Sequence, residues 1–242
     1  MYGWRARLGV LVPSGNIVTE PEFNRVVPEG VTCHYHRFAF TGDGRNQDVM
    51  GGVKAAAENI AEAAAMVGAA RPSVIAMTGT AVTFIGGGGY DLKLIEEMRR
   101  RTGDIPVTTT STSVIDAFHR LGAARVSVAM PYIEEVARAL VRFVEDNGIP
   151  VLKYQWLDKR GFEIPEVSGE TLRRLAAEVD TPESEAVLIS CTSLHTFEVI
   201  EDIERELKKP VVTSNQATLW NMLRLAGIED KIEGYGRLFS QY

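Results

Sequence analysis

Arg7-Leu-Gly-Val-Leu-Val-Pro13 recurs as Arg125-Val-Ser-Val-Ala-Met-Pro131, and this recurrence decides the fold. Each run is nearly continuous in apolar residues, the pattern of a parallel strand buried on both faces, and each stops at a proline. Working outward, further landmarks repeat in the same order. Pro106-Val-Thr-Thr-Thr110 and Pro210-Val-Val-Thr-Ser214 each open a helical stretch with an Arg-Leu pair 14 and 15 residues past the proline, at Arg120-Leu121 and Arg224-Leu225. Between these landmarks lie two short apolar strands that end in small polar residues, at Gly79-Thr80 and at Cys191-Thr192. Strands alternating with helices build βαβ crossovers. The expected fold is α/β: two pseudo-symmetric, Rossmann-like half-domains with parallel sheets, 1–120 and 121–242, and an active site in the cleft between them. The segment from about 214 to 242 is free to pack back onto the first half.

Periodicity places strands at 8–12, 31–38, 74–77 and 107–109, then at 126–129, 152–157, 187–190 and 211–213. Helices are expected at 20–26, 55–67, 91–101, 113–121, 133–147, 169–179, 195–207 and 217–226, with Gly-rich loops at 41–48 and 86–89.

Composition removes several function classes. The 242 residues carry a net charge of −6, against the clustered Lys and Arg that phosphate backbones need, so no nucleic-acid partner is expected. Arg99-Arg100-Arg101 ends a helix, where cations favour the negative pole. No run approaches the ~18 apolar residues of a membrane span, and the N-terminus lacks the apolar core of a signal peptide, so the chain reads as cytoplasmic and free of membranes. Cys33 and Cys191 are too far apart in sequence to suggest a disulfide framework or a zinc pattern, and the four histidines have no ligand spacing. Neither metal nor organic cofactor is expected. Gly86-Gly-Gly-Gly89 lacks the Lys-Ser/Thr ending of a phosphate loop and the G-x-G-x-x-G spacing, and reads as a flexible loop near the cleft.

In parallel sheets ligands bind at the carboxyl ends of the strands. That rule selects Pro13, Ser14 and Asn16, then Gly79, Thr80 and Ala81, then Tyr132, then Cys191, Thr192 and Ser193, with Ser214-Asn215 closing the ring. Cys191 stands where a strand meets the expected helix at 195–207, whose positive pole should lower its thiol pKa. A thiol so placed can exchange a proton with a carbon acid. Thr80, Thr192 and Ser193 offer hydroxyls and N–H groups to an anion, although Thr and Ser also serve as ordinary helix caps. Tyr132 aligns in the repeat with Ser14 and offers a phenol. Asn16 and Asn215 offer amides to a carboxylate, though asparagine is also a common turn former.

With these residues in hand, the segments 9–16, 190–196, 213–220 and 234–239 together resemble the aspartate/glutamate racemase superfamily, in its maleate cis-trans isomerase and arylmalonate decarboxylase branches. In that resemblance, racemases and isomerases carry a cysteine at both strand ends, whereas the decarboxylases keep only the second and have glycine at the first. Here the first is Gly79. The resemblance therefore implies cofactor-independent decarboxylation of substituted malonates. One substrate carboxylate would rest on Thr80, the Ala81 N–H, Tyr132 and the N–H groups of Cys191 and Thr192, with Cys191 protonating the resulting enediolate. Ala81 departs from the decarboxylase pattern, which has serine there, and Pro13-Ser-Gly-Asn16 and Cys191-Thr-Ser193 lean to the isomerase side. Two alternatives stand beside it: isomerisation or racemisation of a small carboxylic acid, and a catalytically silent carboxylate-binding protein. The implied partner is a small carboxylate or dicarboxylate, with self-association into a homo-oligomer left open.

Overall fold

The computed structural model describes residues 2–40 and 59–242. Its first half runs β1 (Ala6–Pro13), α1 (Thr19–Val26), β2 (Val31–Phe38), α2 (Ile60–Gly68), β3 (Val74–Met77), α3 (Thr80–Phe84), α4 (Tyr90–Thr102), β4 (Val107–Thr109) and α5 (Thr110–Leu121). The second runs β5 (Val126–Met130), α6 (Glu134–Asp146), β6 (Val151–Trp156), a 3-10 turn (Gly161–Glu163), α7 (Gly169–Val179), β7 (Ala186–Ile189), α8 (Ile200–Leu207), β8 (Val211–Thr213), α9 (Ser214–Leu225) and α10 (Arg237–Gln241). The glycine-rich stretch expected at 41–48 and the start of the helix expected at 55–67 lie outside the described residues.

Each half forms a four-stranded parallel sheet, ordered β2-β1-β3-β4 and β6-β5-β7-β8. The recurring apolar runs are the second strand of each sheet, with neighbours on both sides and helices on both faces, which is why they carry almost no polar residue. β5 is buried along its whole length, and β1 at every position except Arg7. The order brings the carboxyl ends of β1 and β3, and of β5 and β7, to the centre of each sheet's rim.

The two halves meet through their equivalent last helices, and α9 packs along α5. Both begin the same way: Thr109 Oγ1 accepts from the Thr112 N–H and Thr213 Oγ1 from the Gln216 N–H, satisfying an otherwise orphaned donor. The seam is polar as well as apolar. Thr218 Oγ1 donates to Thr110 Oγ1 (3.0 Å), and Asn221 Nδ2 to Asp116 Oδ2 (2.9 Å). Beyond α9 the chain keeps touching the first half, with Asp230 bonded to Arg5 and Tyr242 lying under Arg120. One hydrophobic cluster runs through both halves and a second fills the far face of the first sheet, around Leu11, Ile75, Met77 and Met98. No described helix is long and apolar enough to cross a membrane.

The helix expected at 195–207 begins only at Ile200. Residues between Cys191 and Val199 form turns instead, because the Thr196 and Phe197 N–H groups are taken by Glu22 of the first half rather than by the chain's own carbonyls.

Candidate active site

A cavity opens between the two sheet rims. Pro13, Gly15, Asn16, Phe40, Gly79, Thr80, Ala81 and Val82 line it from the first half, and Tyr132, Ile133, Val136, Cys191, Thr192 and Ser193 from the second. The stretch after β6 completes it with Lys159, Arg160, Gly161, Phe162, Ile164 and Pro165. Of the residues selected from the sequence, Ser214 and Asn215 are not brought into the lining, and neither is Ser14. It is exposed, and its Oγ accepts from the Phe40 N–H (3.2 Å). The Gly86–Gly89 loop also stays out of the cavity, bonding through the Gly88 N–H to Asp146.

Gly79 and Cys191 occupy matching positions just past β3 and β7, and both have positive φ, +98° and +136°. Glycine adopts this freely; cysteine does so under strain on the order of 1–3 kcal/mol. The Cys191 side chain is nearly buried. The Ser193 N–H lies 3.4 Å from Sγ and Tyr132 is among its polar neighbours. At Gly79 a Cβ would stand 2.8 Å from Cγ of Pro13, so β1's terminal proline fills the space a side chain there would need.

The expected lowering of the Cys191 pKa is corrected by this geometry. With no helix starting behind it, burial is the largest influence and pushes the thiol above its ordinary value of 9, only partly opposed by the Ser193 N–H. The group is an S–H at neutral pH. Burial likewise raises the Tyr132 phenol well above its usual value; it is shared with Ser190 Oγ (3.2 Å) and stays a neutral donor.

Ser214, the first residue of α9, joins the two strand ends. Its Oγ accepts from the Thr80 hydroxyl (2.9 Å) and from the Cys191 N–H (3.0 Å). The Cys191 N–H assigned to a substrate carboxylate is thus already engaged. Asn16 is similarly committed: its Nδ2 reaches the Thr192 carbonyl (3.1 Å) and its Oδ1 accepts from the Val18 and Thr19 N–H groups. Asn215 is not a lining residue; its Nδ2 is divided between Thr192 O (3.0 Å) and Glu22 (2.6 Å). Both amides therefore fix the cavity wall.

Sequence reasoning did not select Lys159, Arg160 and Phe162. They belong to the stretch between β6 and α7, anchored to the cleft by the Lys159 N–H on Pro131 O (2.8 Å). Lys159 and Arg160 are the two basic residues in a lining whose other residues carry no formal charge. Among the described residues no three His, Cys, Asp or Glu side chains gather as metal ligands would.

The model of the arylmalonate decarboxylase family matches residues 8–239, nearly the whole chain. The protein belongs to the arylmalonate decarboxylase family. An arylmalonate decarboxylase of Bordetella bronchiseptica is 31% identical over 238 residues, covering 97% of this chain and 96% of that one. A maleate isomerase of Nocardia farcinica is 24% identical over 247 residues, with 97% and 96% covered. Among solved structures, a glycine-to-cysteine, cysteine-to-serine double mutant of arylmalonate decarboxylase in liganded form superimposes with a TM-score of 0.89 at 28% identity, covering 98% of this chain and 99% of that one. A cysteine-to-serine mutant of the Nocardia isomerase, with a covalently bound succinylcysteine intermediate, gives 0.90 at 22% identity with 98% of each covered, which speaks for the fold. The α/β architecture of paired parallel sheets is thus that of the arylmalonate decarboxylase family, whose decarboxylase and isomerase members are both enzymes.

Proposed function

We propose that the protein decarboxylates substituted malonates without a cofactor and that Cys191 is its proton donor. The observation that carries this reading is a single thiol in the cavity, held as S–H, facing a glycine at the matching strand end. Cys33, the other cysteine, lies half-buried on β2 and does not line the cavity. A reaction that needs two thiols, or one thiolate nucleophile, is poorly served by this arrangement. The structurally similar isomerase bears its succinyl adduct on a cysteine although one cysteine has been replaced by serine.

One malonate carboxylate would take hydrogen bonds from Tyr132 and the free N–H groups of Ala81 and Thr192, and from the Thr80 hydroxyl once it turns from Ser214 Oγ. The other would face the apolar wall of Val82, Ile133, Val136 and Ile164, where lost hydration favours its departure. The bond between the α-carbon and that carboxylate breaks, CO₂ leaves, and the electron pair spreads into an enediolate on the retained carboxylate. Cys191 passes its proton to the α-carbon, and the thiolate left behind, met by the Ser193 N–H, recovers a proton from water. One donor on one face gives one enantiomer. Lys159 and Arg160 attract the dianion to the cavity.

The test is CO₂ release from an α-methyl-α-arylmalonate, with Cys191→Ser as control. The wild type should turn over and the folded variant should lose about a hundredfold or more in rate. Conversion of maleate to fumarate without CO₂ release would establish the isomerase alternative instead, which Pro13-Ser-Gly-Asn16 and Cys191-Thr-Ser193 favour.

A further inference from the structure

Glu22 sits on α1 in the half that has no cavity thiol, 8% exposed, with no Lys or Arg paired to it among the described residues. Its carboxylate is spent on the other half. Oε1 accepts from the N–H groups of Thr196 (2.9 Å) and Phe197 (3.1 Å), and Oε2 from Nδ2 of Asn215 (2.6 Å). Asn215 in turn grips the Thr192 carbonyl (3.0 Å), which Asn16 Nδ2 also meets (3.1 Å). One carboxylate therefore holds the Thr196 and Phe197 N–H groups directly and the Thr192 carbonyl through Asn215, beside the bonds of Asn16 to Thr192 and of Thr196 Oγ1 to Thr213 Oγ1 (3.0 Å), and Cys191 at the head of that segment is held at φ +136°.

We propose that Glu22 is a positioning residue for Cys191, acting in its ionised form to hold the segment that aims the thiol into the cavity. This rests on the reading above that Cys191 is the reacting group. The ionised form is the one that fits, because all three neighbours are donors. A proton on Oε2, or an amide in its place, sets donor against donor at Asn215. Asn215 cannot simply turn over, since its Oδ1 would then face the Thr192 carbonyl oxygen, which only accepts (3.0 Å).

Few charged groups face the carboxylate. Glu198, on the 191–199 segment, repels it and is itself paired at the surface with Arg25 of α1 (3.6 Å). Glu20 of α1 is turned to Arg37 of β2 (2.8 Å), and α9 presents the uncharged Asn215. Burial outweighs the three hydrogen bonds and raises Glu22 to about 7, so the segment gains its full set of bonds within the neutral range.

The experiment follows alkylation of Cys191 by iodoacetamide from pH 5.5 to 8.5, in the wild type and in Glu22→Gln, by mass spectrometry of the Cys191 peptide so that Cys33 is scored separately. Below its pKa any thiol reacts about tenfold faster per pH unit, because the thiolate is the nucleophile. The wild type should show an added rise of roughly three- to tenfold centred near 7, as the fixed segment brings the Ser193 N–H to Sγ. Glu22→Gln should keep only the plain slope and react more slowly at pH 8. In turnover it should lose kcat about tenfold with KM within about twofold, a split that general loosening of the cavity would not give. A plain slope in the wild type overturns the proposal, as does an added rise retained in Glu22→Gln. The wild-type profile decides alone if the variant does not fold. Alkylation needs no turnover: the rise without CO₂ release keeps this proposal and removes the decarboxylase reading, and CO₂ release without the rise does the reverse.

Discussion

Replacing Cys191 by alanine and by glycine isolates the backbone strain at the reacting residue, since both variants lack the thiol and differ only in a Cβ. At an ordinary position glycine is the less stable of the two by about 0.5–1 kcal/mol, because it loses more freedom on folding. At φ +136° the Cβ of alanine carries the penalty of a sparsely populated conformation, on the order of 1–3 kcal/mol, which glycine does not. The difference should reverse: Cys191→Gly should be more stable than Cys191→Ala by about 1–2 kcal/mol. For a chain of this length that is a gap of roughly 2–8 °C in melting temperature. Urea denaturation and calorimetry on the two variants measure it, and a crystal structure of each checks that φ is unchanged. Gly79→Ala should run the opposite way, losing about 2 kcal/mol or more, as φ is +98° and its Cβ would meet the Pro13 ring at 2.8 Å. If Cys191→Ala is the more stable by the usual glycine penalty, Cys191 is not strained and its direction must be set by its neighbours alone.

Three further outcomes are expected. Glu22 has a folded value of about 7 against an ordinary 4.5, so the folded state holds a proton that the unfolded chain releases. Its contribution is therefore complete below 4.5 and is lost as pH rises through 7, by on the order of 3 kcal/mol. Glu204 and Asp116, also raised by burial, slope the same way, so the measurement is wild type minus Glu22→Gln in urea melts from pH 4 to 8. Dialysis against a chelator should leave CO₂ release unchanged, and activity restored only by a divalent ion would contradict the mechanism. Gly79→Cys should carry the same stability loss as alanine there, with the Pro13 ring displaced, and place a second proton-transfer group across the cavity, raising α-hydrogen exchange of an α-arylpropionate in heavy water and lowering decarboxylation; efficient exchange by the wild type would show that another residue already supplies that group.

The sheets were legible because the strands that centre them, Leu8 to Val12 and Val126 to Met130, are apolar on both faces and recur. The same repeat marked Gly79 and Cys191 as partners, and the structure gives both positive φ. The start of α8 was illegible for a physical reason. Residues 195–207 have helical spacing, but the donors that would begin that helix are captured by Glu22, 174 residues away from Thr196 in sequence, and no local pattern reports such a competitor. Ser214 was picked out by its place at a strand end, yet its bridge from Thr80 to Cys191 depends on two other segments arriving within 3.0 Å. Lys159, Arg160 and Phe162 escaped notice because the strand-end rule was not applied to β6, past whose end they lie.

The seam between α5 and α9 brings together helices that follow equivalent strands and start with equivalent caps. Two identical half-length chains related by a twofold axis would meet through that same pair. Such a dimer would be bound to carry one residue type at both strand ends, two thiols or none. Joining the halves in a single polypeptide lifts that symmetry: one end can hold a strained cysteine while the other relaxes to glycine beneath a proline. Proton delivery to only one side of a substrate is then a property that fusion makes available.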